Sequence, residues 1–293
     1  ASAPAASLKN ARPIFGCEPR CRRGTLDGHT QPVKIMDFTT LHYQEKPLVI
    51  ANVWDAPSAI AAQQAGYQAL GTSSAAIANM LGYADGEGMA FEELLYMVRR
   101  IRAVSSLPLS VDMEAGYAHD SEGIVTHFRQ LAALGVVGVN LEDSRVIKGV
   151  RTLEDPVAFS QRLSAVRSGL SAQGCPLFIN ARTDAFLLNL PDALNVTLSR
   201  IAYYEAGGAD GLFVPCVSDA QDIAALVQHT SLPLNVMCVP GLDDFATLGK
   251  MGVRRISMGN AVHCAIQGTL NTLLLTLHQQ QSFAGVFCDE NHR

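Results

Sequence analysis

No uninterrupted apolar run in this chain of 293 residues reaches the roughly 18 that a membrane-spanning helix needs. Basic stripes are missing too: the net charge of −5 comes from scattered residues. A nucleic-acid backbone or an anionic membrane therefore finds no electrostatic footprint to meet. The seven cysteines show no metal-type spacing. Only Cys17 and Cys21 lie close, and no second pair answers them. An odd count in a long chain fits a reduced compartment better than a disulfide framework, so cytoplasmic residence is expected. Gly-x-Ser-x-Gly elbows, P-loops and dinucleotide fingerprints are absent as well, which removes the common hydrolase and nucleotide chemistries. Schiff-base catalysis asks for a lysine at a strand end, whereas Lys34, Lys46, Lys148 and Lys250 fall in loops or helix termini. These absences tilt the reading toward metal-assisted chemistry.

Apolar residues make up 48% of the chain, enough to fill a sizeable core. Residues 1–35 differ in character, with six Lys/Arg against Glu18 and Asp27, several prolines and no helical or strand period. They are expected to be a disordered or non-native extension, or a transit-like leader. Residues 36–293 form a single domain whose fold begins near Phe38. From there short apolar or β-branched runs alternate with helical stretches. The expected strands are Leu48–Val53, Ala69–Thr72, Leu109–Met113, Gly138–Leu141, Leu177–Ala181, Gly211–Val214, Leu234–Met237 and Arg255–Ser257. Helices are expected at about 57–65, 87–105, 123–134, 155–170, 191–206, 220–229, 244–251 and 260–278. Eight such units with no sequence left for a second domain predict an α/β chain folded as a (β/α)₈ barrel of the TIM type. The alternative is an open doubly wound sheet, but Asn52-Val53-Trp54-Asp55-Ala56 stands where its glycine fingerprint belongs.

Barrel chemistry sits at the C-terminal ends of the strands, and there the chain places its polar stations. They read Asp112-Met113-Glu114, Asn140-Leu141-Glu142-Asp143, Asn180-Ala181-Arg182-Thr183-Asp184 and Asn235. Residues two apart on a strand share a face, so Asp112 with Glu114, and Asn140 with Glu142, are expected to point together, with Asp143 opposite. Carboxylates this dense repel unless a cation or a proton neutralises them. Hard oxygen ligands suit Mg²⁺, with Mn²⁺ as the alternative. Asp85, between glycines in Gly82-Tyr83-Ala84-Asp85-Gly86, is either a further acid of the site or a solvated turn residue. Arg182 is the cation among these acids, either paired with Glu142 or Asp184 or contacting a substrate carboxylate. Thr72-Ser73-Ser74 after the second strand offers an anion cradle or an ordinary helix cap.

At these residues the chain resembles the isocitrate lyase/phosphoenolpyruvate mutase superfamily. The matching segments run in the family's order over residues 47–265 and include Gly71-Thr72-Ser73-Ser74, the Asp85 turn, Val111–Tyr117, Asn140–Asp143, Ile179–Asp184, Gly208–Pro215 and Asn235. The resemblance implies a Mg²⁺-dependent lyase or mutase acting on a 2-oxo acid or phosphonate through a pyruvate-like enolate. Asp112 would be the principal metal ligand, with Asp85, Glu114 and Glu142 around the ion partly through water. Arg182 and Asn235 would hold substrate, Thr72, Ser73 and Ser74 its carboxylate, and Glu142, Arg182 and Lys148 would take part in catalysis. It also implies a last helix exchanged between neighbouring barrels, giving a homo-oligomer built as a dimer of dimers.

One segment departs from the family pattern. In Ser144–Thr152, Lys148 keeps the spacing of the lyase loop's lysine, but Val150 stands where the lyases carry cysteine and the phosphonate enzymes asparagine. Valine neither donates a proton nor orients a water. Tyr83, Tyr117 or water is then left to protonate an enolate. A mutase or phosphonopyruvate hydrolase, and a barrel that binds metal and 2-oxo acid without turnover, are the alternatives.

Overall fold

The computed structural model describes residues 37–287, so the expected extension over residues 1–35 lies outside the described residues. Eight parallel strands close into one barrel. They are β1 (Leu48–Val53), β2 (Ala69–Thr72), β3 (Leu109–Asp112), β4 (Gly138–Glu142), β7 (Phe178–Arg182), β8 (Gly211–Val214), β9 (Leu234–Met237) and β10 (Arg255–Ser257). Their order around the barrel is β1-β10-β9-β8-β7-β4-β3-β2. All eight expected strands are present, with ends that shift by a residue or so. The barrel wins over the open sheet because β1 bonds both β2 and β10, leaving no edge unpaired.

Nine α-helices are described: α1 (Ala56–Gln64), α2 (Ser74–Leu81), α3 (Phe91–Arg102), α4 (Ser121–Ala133), α5 (Pro156–Ala172), α6 (Ala193–Ala206), α7 (Ala220–His229), α8 (Phe245–Met251) and α9 (Ala261–Gln280). Aspartate side chains accept backbone N–H groups at the starts of α1, α4, α5, α7 and α8. Asp55, Asp120, Asp155, Asp219 and Asp244 are thereby accounted for as N-caps, each stabilising its helix by about 1 kcal/mol. These capping acids are distinct from the acids at the barrel mouth.

Two elements were not expected. The Thr72-Ser73-Ser74 cradle opens into helix α2, which ends on Gly82 in a left-handed conformation. After β4 the chain forms an antiparallel hairpin of β5 (Ser144–Ile147) and β6 (Val150–Leu153), in place of an open loop. Its two-residue turn is Lys148-Gly149, with φ of +53° and +79°. Two left-handed residues in succession match the right-handed twist of a hairpin.

Apolar side chains pack between the sheet and the helices, among them Ile77, Leu94, Ile124, Phe128, Phe159 and Tyr204. A second, smaller cluster plugs the N-terminal end of the barrel. Phe38 and Leu41, the latter in the 3-10 turn Thr40–Tyr43, meet Leu48, Ile50, Ala69 and Phe178, residues near strand starts. The His42 ring stacks on Phe178 at 4.3 Å, and its Nδ1 pairs with the Phe38 carbonyl at 3.0 Å. Among the described residues no helix is long and apolar enough to cross a membrane.

Burial, together with the nearby charge of Arg255, lowers the His42 pKa from 6.5 to about 3. Folded His42 stays neutral in a range where the unfolded chain takes up a proton. Its contribution is therefore intact above pH 6.5 and declines as pH falls toward about 3. The deficit approaches about 5 kcal/mol at the bottom of that window. Denaturant titrations at several pH values should show His42→Phe losing less stability than the native chain between pH 6.5 and 4, with flanking carboxylates common to both. Parallel curves for the two proteins would assign the acid sensitivity elsewhere.

Candidate active site

The C-terminal mouth of the barrel collects charge from five segments. Asp112, the last residue of β3, accepts the Ser74 hydroxyl on Oδ2 at 2.7 Å and the Asn140 amide on Oδ1 at 3.3 Å. Its own N–H donates to Thr72 Oγ1 at 2.8 Å. Ser73 caps α2 by accepting the Ala76 N–H. The three residues expected to cradle an anion thus also orient Asp112, through two hydroxyl groups and the helix that Ser73 starts.

Glu114 reaches the site by another route than strand alternation. β3 ends at Asp112, and Glu114 lies in the left-handed region at φ +46°. Its carboxylate accepts the Tyr117 hydroxyl and, at 2.7 Å, the Glu87 N–H. Burial and the neighbouring charge of Asp85 raise the Glu114 pKa from 4.5 to about 7. Gly116, at φ +112°, sits where an added Cβ would meet Ile124 at 2.6 Å, so the turn needs glycine.

Glu142, the last residue of β4, is 2% exposed. Burial pushes its carboxyl well above the usual range, against the pull of Arg182 and Arg151. Oε2 lies 2.9 Å from Arg182 Nη1, yet without the angle of a hydrogen bond it retains an unmet lone pair. Arg182, the last residue of β7, also donates from Nε to Asp184 Oδ1 at 2.6 Å and from Nη2 to Asp184 Oδ2 at 3.1 Å. Asp112 Oδ2 is 3.8 Å from its Nη1. Both ion pairs anticipated for Arg182 are therefore formed. Asp143 points away from the mouth, as alternation requires, and is buried against Thr183, Arg200 and Tyr204.

Asp85 is brought in by Arg151. This hairpin residue donates from Nη2 to Asp85 Oδ2 at 3.1 Å and from Nη1 to Asp184 Oδ2 at 3.1 Å, to Ser144 Oγ at 3.0 Å, and to Glu142 Oε1. The Asp85 turn approaches the hairpin at Gly86, where a Cβ would come within 2.4 Å of Val146. Arg151 lies in the Ser144–Thr152 segment, but nothing in that sequence announces the hairpin that aims it inward. Ser144 and Asp184 were quoted only as part of motifs. Arg255, inside the barrel, was read only as the start of a strand. It is 2% exposed, and burial lowers its pKa to about 9 against the attraction of Asp112.

Other expected participants are placed elsewhere. Lys148 occupies the exposed tip of the hairpin. Val150, at 61% exposure, also faces outward. Asn235 is fully buried, its Nδ2 bonded to Val236 O at 2.7 Å and Ser257 Oγ at 3.1 Å, and its Oδ1 to Asn180. It belongs to a layer of amides beneath the mouth, with Asn180 bonded in turn to Asn140 at 3.0 Å. The Tyr83 hydroxyl turns to Glu93 at 3.0 Å, leaving Tyr117 as the tyrosine that touches a site carboxylate.

The carboxylates do not form a ready-made cage. Among the described residues no group of three or more His, Cys, Asp or Glu is arranged to hold a metal ion. The physical reason is that Arg151 and Arg182 stand between them. The donor set nevertheless fits a hard dication in chemistry and in charge. In ionised form Asp85, Asp112, Glu114, Glu142 and Asp184 outnumber Arg151 and Arg182 at the mouth, while Arg255 lies below them inside the barrel against Ser110 and Asn140, so negative charge is in excess. Burial drives the upward shifts of Glu114 and Glu142, and neighbouring carboxylates add to them, Asp85 and Asp112 for the first and Asp184 and Asp112 for the second. The unmet lone pair on Glu142 Oε2 is a further donor.

Comparison with known proteins identifies the family. The phosphoenolpyruvate phosphomutase family profile matches residues 38–277. An uncharacterized protein of Mycobacterium tuberculosis (strain ATCC 25618 / H37Rv) is 33% identical over 230 residues, covering 78% of this chain and 84% of that protein. Oxaloacetate decarboxylase of Pseudomonas aeruginosa (strain UCBPP-PA14) is 29% identical over 230 residues, covering 76% and 78%. A solved structure from Burkholderia cenocepacia J2315 superimposes with a TM-score of 0.76 at 38% identity, covering 81% of this chain and 97% of that one. The chain belongs to the phosphoenolpyruvate phosphomutase family, within the isocitrate lyase/phosphoenolpyruvate mutase superfamily.

Proposed function

We propose that the protein is a divalent-metal-dependent lyase that cleaves or forms a C–C bond next to a 2-oxo carboxylate, with Mg²⁺ as the native ion. The observation that carries this reading is the convergence of Asp85, Asp112, Glu114 and Glu142 with Arg182 and Arg151 at one barrel mouth, with negative charge in excess. Asp112 and Glu142 would hold the ion most directly, with Asp85 and Glu114 alongside. Bound there, the dication would supply Lewis acidity toward the oxygens of a 2-oxo acid.

The chain's own groups have separable tasks. Ser74 and Asn140 fix the Asp112 carboxylate, so it meets its ligand without reorganising. The Arg182 guanidinium, held flat by Asp184, supplies fixed positive charge beside the developing enolate. Thr72, Ser73 and Ser74 would receive the substrate carboxylate at the start of α2. The Tyr117 hydroxyl sits on Glu114 and keeps a proton within the site.

Among C–C cleavages, decarboxylation suits this mouth best. Loss of carbon dioxide leaves an enolate that water can protonate, whereas cleavage to a second carbonyl fragment needs a dedicated acid and base. The hairpin presents neither at its inward position: Arg151 does not titrate in the working range, and Val150 faces outward. C–P chemistry is the alternative within the same site.

A screen of 2-oxo acid precursors for pyruvate release, with and without Mg²⁺, tests the proposal. Turnover should require the ion, and Asp112→Ala should reduce it by at least about 10²-fold, the scale of losing a main electrostatic group. Full activity of Asp112→Ala, or turnover indifferent to chelator, would remove the site from the chemistry.

We also propose that the active form is an oligomer, a dimer of dimers joined through α9. Val262, Ile266, Leu270 and Leu274 recur every fourth residue on that helix and are 43–56% exposed. Such a stripe is costly in water and complementary to a second copy of the same helix. Native mass spectrometry should give a multimer for the native chain and smaller species for Leu270→Glu/Leu274→Glu. A monomeric native chain would refute it.

A further inference from the structure

The two mouth arginines are held in different ways. Arg182 stands on a barrel strand and gives two donors to Asp184 two residues away. Arg151 stands on a two-stranded hairpin whose turn residues and their neighbours, residues 147–150, are all exposed. Its guanidinium bridges Asp85 on one side with Glu142, Asp184 and Ser144 on the other. The Arg151 side chain is 14% exposed and that of Asp85 45%, so this bridge closes the site at its solvent edge. Strand alternation puts Val150 and Arg151 on opposite faces. The position matching the superfamily's cysteine or asparagine faces solvent, and its neighbour faces the carboxylates.

A guanidinium among three carboxylates occupies the kind of position that a metal ion takes. A dication bound to Asp85 and Glu142 would repel Arg151 and compete for the same oxygens. Once the ion offsets the surplus negative charge, an incoming 2-oxo acid brings more. Arg151 would then be the cation whose donors have been vacated, while Arg182 remains bound to Asp184. Its planar fork matches a carboxylate through two parallel hydrogen bonds.

We propose that Arg151 is a specificity-determining residue: a divalent cation displaces it from Asp85 and Glu142, and the freed guanidinium binds the second anionic group of a dianionic 2-oxo acid. This rests on the metal-dependent reading of the same site. It accounts for an arginine at the inward position of a segment that lacks a proton donor. The substrate class is a 2-oxo dicarboxylate or an equivalent dianion.

Mn²⁺ binding, followed by the electron paramagnetic resonance of the free ion, tests the displacement without any turnover. Arg151→Met should bind Mn²⁺ about tenfold more tightly than the native chain, the effect of removing one competing charge-assisted contact. With Mn²⁺ saturating, calorimetry should then compare pyruvate with oxomalonate, in which a carboxylate replaces the methyl group. The native chain should prefer oxomalonate by about tenfold or more, with Arg151→Met losing the preference and holding pyruvate within about twofold. Arg151→Lys, which keeps the charge without the fork, should retain part of it, and serves if the methionine variant does not fold. Equal Mn²⁺ affinity in native and Met proteins would overturn the displacement. An oxomalonate preference that survives in Arg151→Met, or is absent from the native chain, would overturn the specificity role. Failure of the native chain and both variants to bind Mn²⁺ would instead sink the metal reading beneath the proposal.

Discussion

Negative charge concentrated at one end of the barrel is the constraint on which the rest of the site depends. Glu114, Glu142 and Asp184 are almost wholly withdrawn from water, and Asp112 nearly so. Buried carboxylates without partners cost several kcal/mol each, so the surroundings are arranged to supply donors. Arg182 is buried among Asp112, Glu142 and Asp184, and their charges hold its pKa well above the usual guanidinium range despite burial. The hydroxyls of Ser74, Tyr117 and Ser144 serve the remaining oxygens. What is left is a cluster whose carboxylate oxygens are mostly hydrogen-bonded, Glu142 Oε2 excepted, and which is deficient in positive charge. Stability alone would favour apolar replacements in such a place, so the deficit points to ligand binding.

Rigidity behind the mouth comes from contacts that touch no ligand. Asp143 accepts Thr183, Arg200 and Tyr204, and its Oδ1 accepts the Asp184 N–H at 3.1 Å. Asp184 in turn holds Arg182, so a network outside the barrel sets the angle of a guanidinium within it. Arg162 on α5 donates to the carbonyls of Ala115 and Glu142, both at 3.1 Å. It ties the ends of β3 and β4, where the metal-type acids project. Beneath them the amides of Asn140, Asn180 and Asn235 bond one another across the barrel. Together these contacts give a floor and walls of fixed geometry, with the hairpin as the less supported side.

Most of the barrel was legible because its strands are short apolar runs between glycine-marked helix ends, a pattern that survives without tertiary information. The inward charged residues were legible too, since Glu142 and Arg182 obey strand alternation. Glu114 arrived at its place for a different reason: a left-handed residue after the strand, which period-two reasoning does not describe. Helix α2 escaped notice because Ser73 and Ser74 serve as both cap and site, and its eight residues barely exceed two turns. The β5–β6 hairpin escaped because Lys148-Gly149 lacks the usual Asn-Gly signal. Asn235 illustrates a further limit: a polar residue at a strand end can belong to the barrel floor, and only its hydrogen bonds distinguish that from substrate contact.

On the proposed reading, the hairpin selects among the chemistries open to the mouth. A proton donor on that segment would permit cleavage into two carbonyl fragments, since the enolate carbon would be protonated as the barrel holds it. Here the inward residue is an arginine, permanently charged and unable to deliver a proton at ordinary pH. On that reading, an arginine instead suits a substrate whose second carboxylate leaves as neutral carbon dioxide, its electron pair and charge remaining on the enolate. A 2-oxo dicarboxylate losing carbon dioxide does this: the departing carboxylate takes no proton, and the remaining enolate stays beside Arg182. One inward side chain would thus, if the proposal holds, couple the charge of the substrate to the kind of bond that breaks.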